Sequence, residues 1–210
     1  MLALTFSTGI VDAVGYLGLD KVFTGNMTGN VVILGMAIVG AEDLPVLGPV
    51  LALGGFMAGA ALGGRMLRSA APGWSRRTTV LLALVGVVIL ALAVLVLIDD
   101  DLARPVALTI TTLLGAAMGL QAATARFIAV KDVTTVVVTS TITGLAADSV
   151  LGSGKGGGSA RRIAAVVLIL AGAATGAVLL RWHLGAGLLA SALITLAVAA
   201  VGASTMRPTR

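Results

Sequence analysis

TTVLLALVGVVILALAVLVLI, residues 78–98, runs for 21 residues without a Lys, Arg, Asp or Glu. At 1.5 Å per residue a helix of that length covers about 30 Å, the thickness of a bilayer's hydrocarbon core. Residues 44–64 and 105–125 are uncharged over the same length, and 163–180 and 184–206 are also good spans. The chain has 210 residues, of which 58% are hydrophobic and 11% charged, with a mean hydropathy of +1.09. A soluble domain carries about 25% charged residues, and about a quarter to a third of its surface stays in water at this size. These numbers exclude an ordinary soluble domain and predict an all-α polytopic membrane protein, a single membrane domain over 1–210.

The rest of the composition narrows the function classes. With no Cys there is no disulfide scaffold, Cys-ligated zinc or thiol nucleophile. One His and nine acids leave no multi-histidine metal site. No metal, cofactor or catalytic residue is therefore expected, and no enzymatic role. The net charge of +5 hints at nucleic acid, but the charges sit at the ends of apolar runs. They are better understood as topology signal, with the lipid bilayer and a small solute or ion as partners and no nucleic acid.

The shorter apolar segments are 1–19, 27–40 and 133–147. The first contains Asp12, and TGNMTGN (24–30) interrupts the apolar run that follows it. The β-branched run TTVVVTSTIT (134–143) would suit a strand in water, but a lone strand cannot lie in lipid with its edges unpaired. It is read as a helix or half-helix.

The two halves resemble each other. Gly9 falls on Gly115 and Thr28 on Thr134, an offset of 106, and TGNMTGNVV (24–32) falls on VKDVTTVVV (130–138). Further on, AGAALGG (58–64) resembles AGAATGA (171–177) at an offset of 113. Chance likeness between Gly/Ala/Val-rich stretches is the bland alternative. The shared order of features favours duplication, with repeat one at about 1–98 and repeat two at about 105–205. Arg65, Arg68, Arg76 and Arg77 place the 65–77 loop on the cytoplasmic side. Lys155, Arg161 and Arg162 do the same for 148–162, and Arg207 and Arg210 for the tail. With those loops inside, each half crosses an odd number of times. The expectation is two inverted repeats with six net crossings, broken or re-entrant segments at 27–40 and 133–147, and a cytoplasmic C-terminus in a bacterial inner membrane. The competing count is eight full spans in two parallel repeats.

Asp12 is the sharpest single residue. A carboxylate at the bilayer centre costs about 3 kcal/mol on insertion scales, so it should face a cavity, a partner or the bundle interior. A proton or cation relay is the functional reading, and a polar packing contact the plain one. TGNMTGN supplies hydroxyls and amides, with Asn26 or Thr28 placed to cap a helix. The amides of that helix end would attract an anion or polar solute; otherwise the stretch is simply a capped turn. The proposed central site is Asp12, Asn26, Thr28, Asn30, Gln121, Asp132 and Thr134. Gly55, Gly59 and Gly63, Gly115 and Gly119, and Gly172 and Gly176 form G-x-x-x-G motifs expected to make tight helix contacts. Packing within one chain is the default, and a homo-oligomer stays open. Trp74 and Trp182 sit beside arginines and suit interface anchors. GSGKGGGS (152–159) lacks the spacing of a phosphate-binding loop and is taken as a linker.

TG-IVDAV-YL-L at 8–19 together with VFTGNMTGNVV at 22–32 resembles the YoaK-like or DUF1275 family of uncharacterised bacterial integral membrane proteins. Asp12, Asn26, Thr28, Gly29 and Asn30 are the positions that match its signature, and the later segments resemble it in layout. The resemblance implies a membrane protein, and a short cytoplasmic leader ahead of Met1 is expected from it. It implies no substrate and no reaction. A small inner-membrane transporter or permease, proton-coupled through Asp12, is the leading expectation. A non-catalytic structural or assembly protein is the alternative, and a channel is less favoured. Lys155 tests the crossing count: impermeant amine reagents should modify it from the cytoplasmic face only, and modification from outside would mean eight spans.

Overall fold

A computed structural model of the chain describes residues 1–41, 43–71, 73–99, 102–128, 138–154 and 159–205. These residues contain eight α-helices: α1 (Leu2–Gly18), α2 (Met27–Ile38), α3 (Leu47–Leu67), α4 (Arg76–Ile98), α5 (Arg104–Ile128), α6 (Val138–Ala147), α7 (Ser159–Leu180) and α8 (Leu184–Ser204). Five of them, α3, α4, α5, α7 and α8, are long and apolar enough to cross a membrane. α1 has 17 residues, α2 has 12 and α6 has 10. The chain is an all-α polytopic membrane protein.

The uncharged runs locate every helix, but four helices continue past the charges that end the runs. α3 carries Arg65, α4 begins at Arg76, α5 carries Arg126, and α7 carries Arg161 and Arg162 in its first turn. An arginine's long stem lets its head reach water while the backbone stays helical. The start of α4 is set instead by Ser75. Its hydroxyl accepts from the Thr78 N–H, and the Thr78 hydroxyl accepts from the Ser75 N–H at 2.8 Å, a reciprocal cap. Of the β-branched run, Val138–Thr143 lies in α6, and 134–137 fall outside the described residues.

Small residues bring the helix backbones together. Gly55 of α3 lies on the Thr112 carbonyl of α5 and Gly59 on that of Ala116, while Gly115 and Gly119 lie on Ala52 and Phe56. In the same manner Gly172 and Gly176 of α7 lie on Phe6 and Ile10 of α1, and Gly9 on Ile169. Residue numbers rise together across both pairs, so α3 and α5 are parallel, as are α1 and α7. α4 and α8 are antiparallel, with Gly86 on Leu196, Gly185 on Leu97 and Gly202 on Trp74. Ser7 meets Ser191 and Val14 meets Gly187, which sets α1 against α8 in the opposite sense. α3 turns back into α4, where Arg77 donates to the Ser69 hydroxyl at 2.8 Å. α1, α4 and α7 therefore run one way, and α3, α5 and α8 the other.

These directions separate the charges. One end of the bundle gathers Arg65, Arg68, Arg76, Arg77, Arg126, Arg161 and Arg162, with Asp148 paired to Arg162 at 2.7 Å. The other end gathers Asp20, Asp43 and Asp99 with Lys21, Arg104 and Arg181, and is called the acidic end because it holds every described aspartate but Asp12 and Asp148. The main core joins α1, α4, α5 and α8 through Ile10, Val14, Val85, Ile89, Leu114 and Leu188. Met57, Leu84, Val87, Val94 and Leu170 stay exposed on the outside. So much apolar surface is an aggregation hazard in water and suits a lipid-facing belt.

The Gly contacts generate a direct test. A side chain at Gly59 would run into the Ala116 backbone, whereas one at Gly54, a little over a turn earlier, would meet nothing within 4 Å. Overpacking of this kind costs about 1–3 kcal/mol or more. Thermal unfolding in detergent should show Gly59→Leu clearly destabilised and Gly54→Leu close to the parent.

Candidate functional site

Asp12 sits mid-way along α1 and is 8% exposed. Beyond Gly18 the chain reverses at Lys21, whose φ is 49°. The returning strand then lies directly on α1, because Gly15 has no side chain where the Val22 carbonyl passes. It descends as far as Asp12, whose Oδ1 accepts from three successive backbone amides: Thr24 at 2.9 Å, Gly25 at 2.6 Å and Asn26 at 3.3 Å. The Thr24 hydroxyl stands 3.5 Å from the same oxygen. α2 starts at that depth. Its first turn is capped by Asn26, whose Oδ1 accepts from the Gly29 N–H at 3.3 Å. Asn30 ties the strap from the other side, donating through Nδ2 to the Phe23 carbonyl at 2.6 Å and accepting the Phe23 N–H at 2.8 Å. Tyr16 stacks on Phe23 with ring centres 4.8 Å apart.

Asp12 takes the amides of Thr24, Gly25 and Asn26, which lead into α2, and none of the amides of the helix's own first turn. The two sides complete each other, because a buried carboxyl oxygen needs donors and the strap's amides need acceptors. Asn26 is the capping residue, and Thr28 is exposed on the first turn of α2.

Gln121 of α5 is 1% exposed and donates through Nε2 to the Thr8 hydroxyl at 3.2 Å. The Thr8 hydroxyl in turn donates to the Leu4 carbonyl at 2.9 Å. Oε1 of Gln121 is buried and finds no partner among the described residues. A side chain at Gly25 would touch Thr8, Met118 and Asp12, so the strap, α1 and α5 meet at one point. Asp12, Asn26, Asn30 and Gln121 thus belong to one polar centre, with Thr28 at its rim. Asp132 and Thr134 lie outside the described residues. Among the described residues no three His, Asp or Glu side chains converge as a metal ion would require.

Three polar features were missed in the sequence. Thr5 and Thr8 share a face of α1 with Asp12, and that 5, 8, 12 spacing was available as a signal. Ser7 pairs with Ser191 at 2.6 Å and lies 3.3 Å from the Thr195 hydroxyl, a junction of α1 and α8 that no local pattern announces. At the acidic end a cavity of about 540 Å³ opens between α1, α4, α5 and α8, lined by Asp20, Asp99, Arg104 and His183, with Thr111 on α5. Neither Asp12 nor TGNMTGN lines it.

The fold defines a multi-pass α-helical membrane protein, and at this centre a buried acid holds the segment that joins α1 to α2. The chain belongs to the family described as protein of unknown function DUF1275, whose model matches residues 1–201. It is similar to the UPF0700 transmembrane protein YoaK of Bacillus subtilis (strain 168), 34% identical over 146 residues. That match covers 69% of this chain and 64% of the relative, less than two thirds of its length. No solved structure matches the chain significantly.

The strap makes a prediction about Asp12. Buried donors left without an acceptor cost about 1–3 kcal/mol each. In detergent unfolding Asp12→Ala should therefore lose about 3 kcal/mol or more. Asp12→Asn keeps a carbonyl oxygen facing the amides and should lose less. Equal stability of Asp12→Ala and the parent would mean that the strap is held elsewhere.

Proposed function

We propose that this chain is a small inner-membrane transporter or permease for a small solute, built as two inverted repeats with six net crossings. The observation that carries the proposal is the direction of the helices around the polar centre. α1 opposes α5, α3 opposes α7 and α4 opposes α8. Exchanging each first-half helix with its second-half counterpart also turns every packed pair into another packed pair. α1 with α7 becomes α5 with α3, α1 with α8 becomes α5 with α4, α2 with α3 becomes α6 with α7, α3 with α4 becomes α7 with α8, and α4 with α8 maps onto itself. Inverted repeats that meet around broken helices are a common transporter plan.

Single contacts follow the same exchange. Gly55 on Thr112 answers Gly172 on Phe6, and Gly115 on Ala52 answers Gly9 on Ile169. The offset is 106 from α1 to α5. From α3 to α7 it is 117, the step from Gly55 to Gly172, rather than the 113 suggested by AGAALGG and AGAATGA. The difference is four residues, about one helical turn. Small residues recurring every fourth position look alike after such a slip, so the letters alone favour the wrong turn.

In this reading α1, α3, α4, α5, α7 and α8 cross, while α2 and α6 are half-membrane elements. The strap supports that count: α1 ends and α3 begins at the acidic end, so α2 starts near Asp12 and returns to where it came from. The basic end is cytoplasmic by its excess of arginine, and the C-terminus follows α8 to that side. Asp12 is the candidate proton-coupling group, and no catalytic step is invoked.

A second reading has its own support. Asp12 is tied to three amides and the cavity stops short of it, which suits a structural or assembly role in which the acid only pins the strap. Reconstitution in liposomes separates the two. Transport predicts solute-driven proton movement that Asp12→Asn abolishes. Proton movement unchanged in Asp12→Asn would end the relay role, and no flux with any solute class from stable protein would favour the structural reading.

A further inference from the structure

The cavity at the acidic end lies between α1, α4, α5 and α8, and its volume falls within the range of small-molecule sites. The opposite ends of three of these helices are closed. There Leu4 of α1, Leu82 of α4 and Ala199 of α8 form a small apolar cluster, separate from the main core, with Met1 and Trp74 packed on it. The Trp74 ring lies against Gly202, where any side chain would collide with it. Its Nε1 donates to the Thr79 hydroxyl at 2.8 Å, which fixes the ring's orientation. Trp74 is thus more than the interface anchor that its neighbouring arginines suggest, whereas Trp182 is 74% exposed.

Between cavity and plug the same helices form the packed main core, and within it they bury polar groups that an ordinary core would avoid. Ser7, Ser191 and Thr195 form one junction, and Thr8 and Gln121 another. Thr5, one residue beyond Leu4 of the plug, has a buried hydroxyl with no partner among the described residues. Its equivalent at the offset of 106 is Thr111, which lines the open cavity. Both threonines are buried, Thr5 at 2% and Thr111 at 1% exposure, but Thr111 borders the cavity whereas Thr5 lies beneath the plug without a partner among the described residues. Buried polar groups without partners gain from hydration, so the sealed end has a reason to open.

We propose that the sheaf of α1, α4, α5 and α8 is the solute path, open here at its acidic end, and that Trp74 seated on Gly202 is the gate closing its basic end. This rests on the transport reading and adds the path's position and its gate. The geometry is that of one state of an alternating-access pair. Trp74 bears on Gly202 only while the basic ends of α4 and α8 are together, so opening there requires the ring to leave.

The absence of cysteine makes the test clean. Ala107→Cys, at a half-buried position lining the cavity, and Thr5→Cys are made separately, reconstituted in vesicles, and exposed to a membrane-impermeant maleimide from each side. Ala107→Cys should react from the acidic side, and Thr5→Cys slowly from either. Adding Trp74→Ala to Thr5→Cys should speed its reaction from the basic side by about tenfold or more, by raising the population of the open state. Trp74→Phe, which keeps a ring on Gly202, should leave it slow. Retained reaction of Ala107→Cys in the Trp74→Ala background reports an intact fold. If that reaction is lost, Trp74→Val paired with Thr5→Cys is read instead. Reaction of Thr5→Cys that is fast without the second change, or slow in every folded Trp74 variant, overturns the gate. The readout needs no substrate, so a gate that fails here is distinguishable from a chain that moves no solute.

Discussion

A carboxylate cannot sit in hydrocarbon without donors, and backbone amides cannot sit there without acceptors. Asp12 and the strap at Thr24–Asn26 meet both constraints at once. The architecture of the first half depends on that exchange. Without it the segment after α1 would lose the bonds that lay it on α1 and start α2 beside Asp12. Asn30 completes the fastening by taking both backbone groups of Phe23.

The second constraint is the closeness of the helices. Lipid tails are as apolar as Leu side chains, so burial of apolar surface cannot by itself hold membrane helices together. Here the contacts are backbone on backbone, at Gly55, Gly59, Gly115 and Gly119 between α3 and α5, and at Gly9, Gly172 and Gly176 between α1 and α7. Those two parallel pairs flank the antiparallel α4 and α8. α1 and α5 belong to both layers: each packs through small residues on α7 or α3, while Ser7 meets Ser191 of α8 and Gln121 meets Thr8 of α1 on other faces.

Much of this was legible in the residues, and the exceptions share a cause. The uncharged runs located all eight helices, because in a membrane the charge pattern and the span length answer to the same 30 Å slab. They misplaced helix ends at Arg65, Arg76, Arg126 and Arg161, because an arginine stem crosses the boundary that its charge marks. Asp12, Asn26, Asn30 and Gln121 could be singled out as polar residues in apolar surroundings. Their partners could not: Thr24 and Gly25 act through backbone amides, which carry no letter, and Ser7 meets Ser191 across 184 positions.

The sequence by itself determined that the chain spans a membrane as helices, where those helices lie, and which acid is buried among them. Each follows from composition and one-dimensional spacing against a slab of known thickness. Only the tertiary structure decided that Asp12 is met by the chain's own amides, that Gly55 lies on Thr112 and Gly172 on Phe6, glycines 117 positions apart where the letters pair residues 113 apart, and that Trp74 packs on Gly202 at the end of α4 and α8 opposite the cavity. Those are matters of which surfaces meet. Stretches rich in Gly and Ala are nearly the same after a shift of one turn, so that choice is made by the fit of one backbone against another.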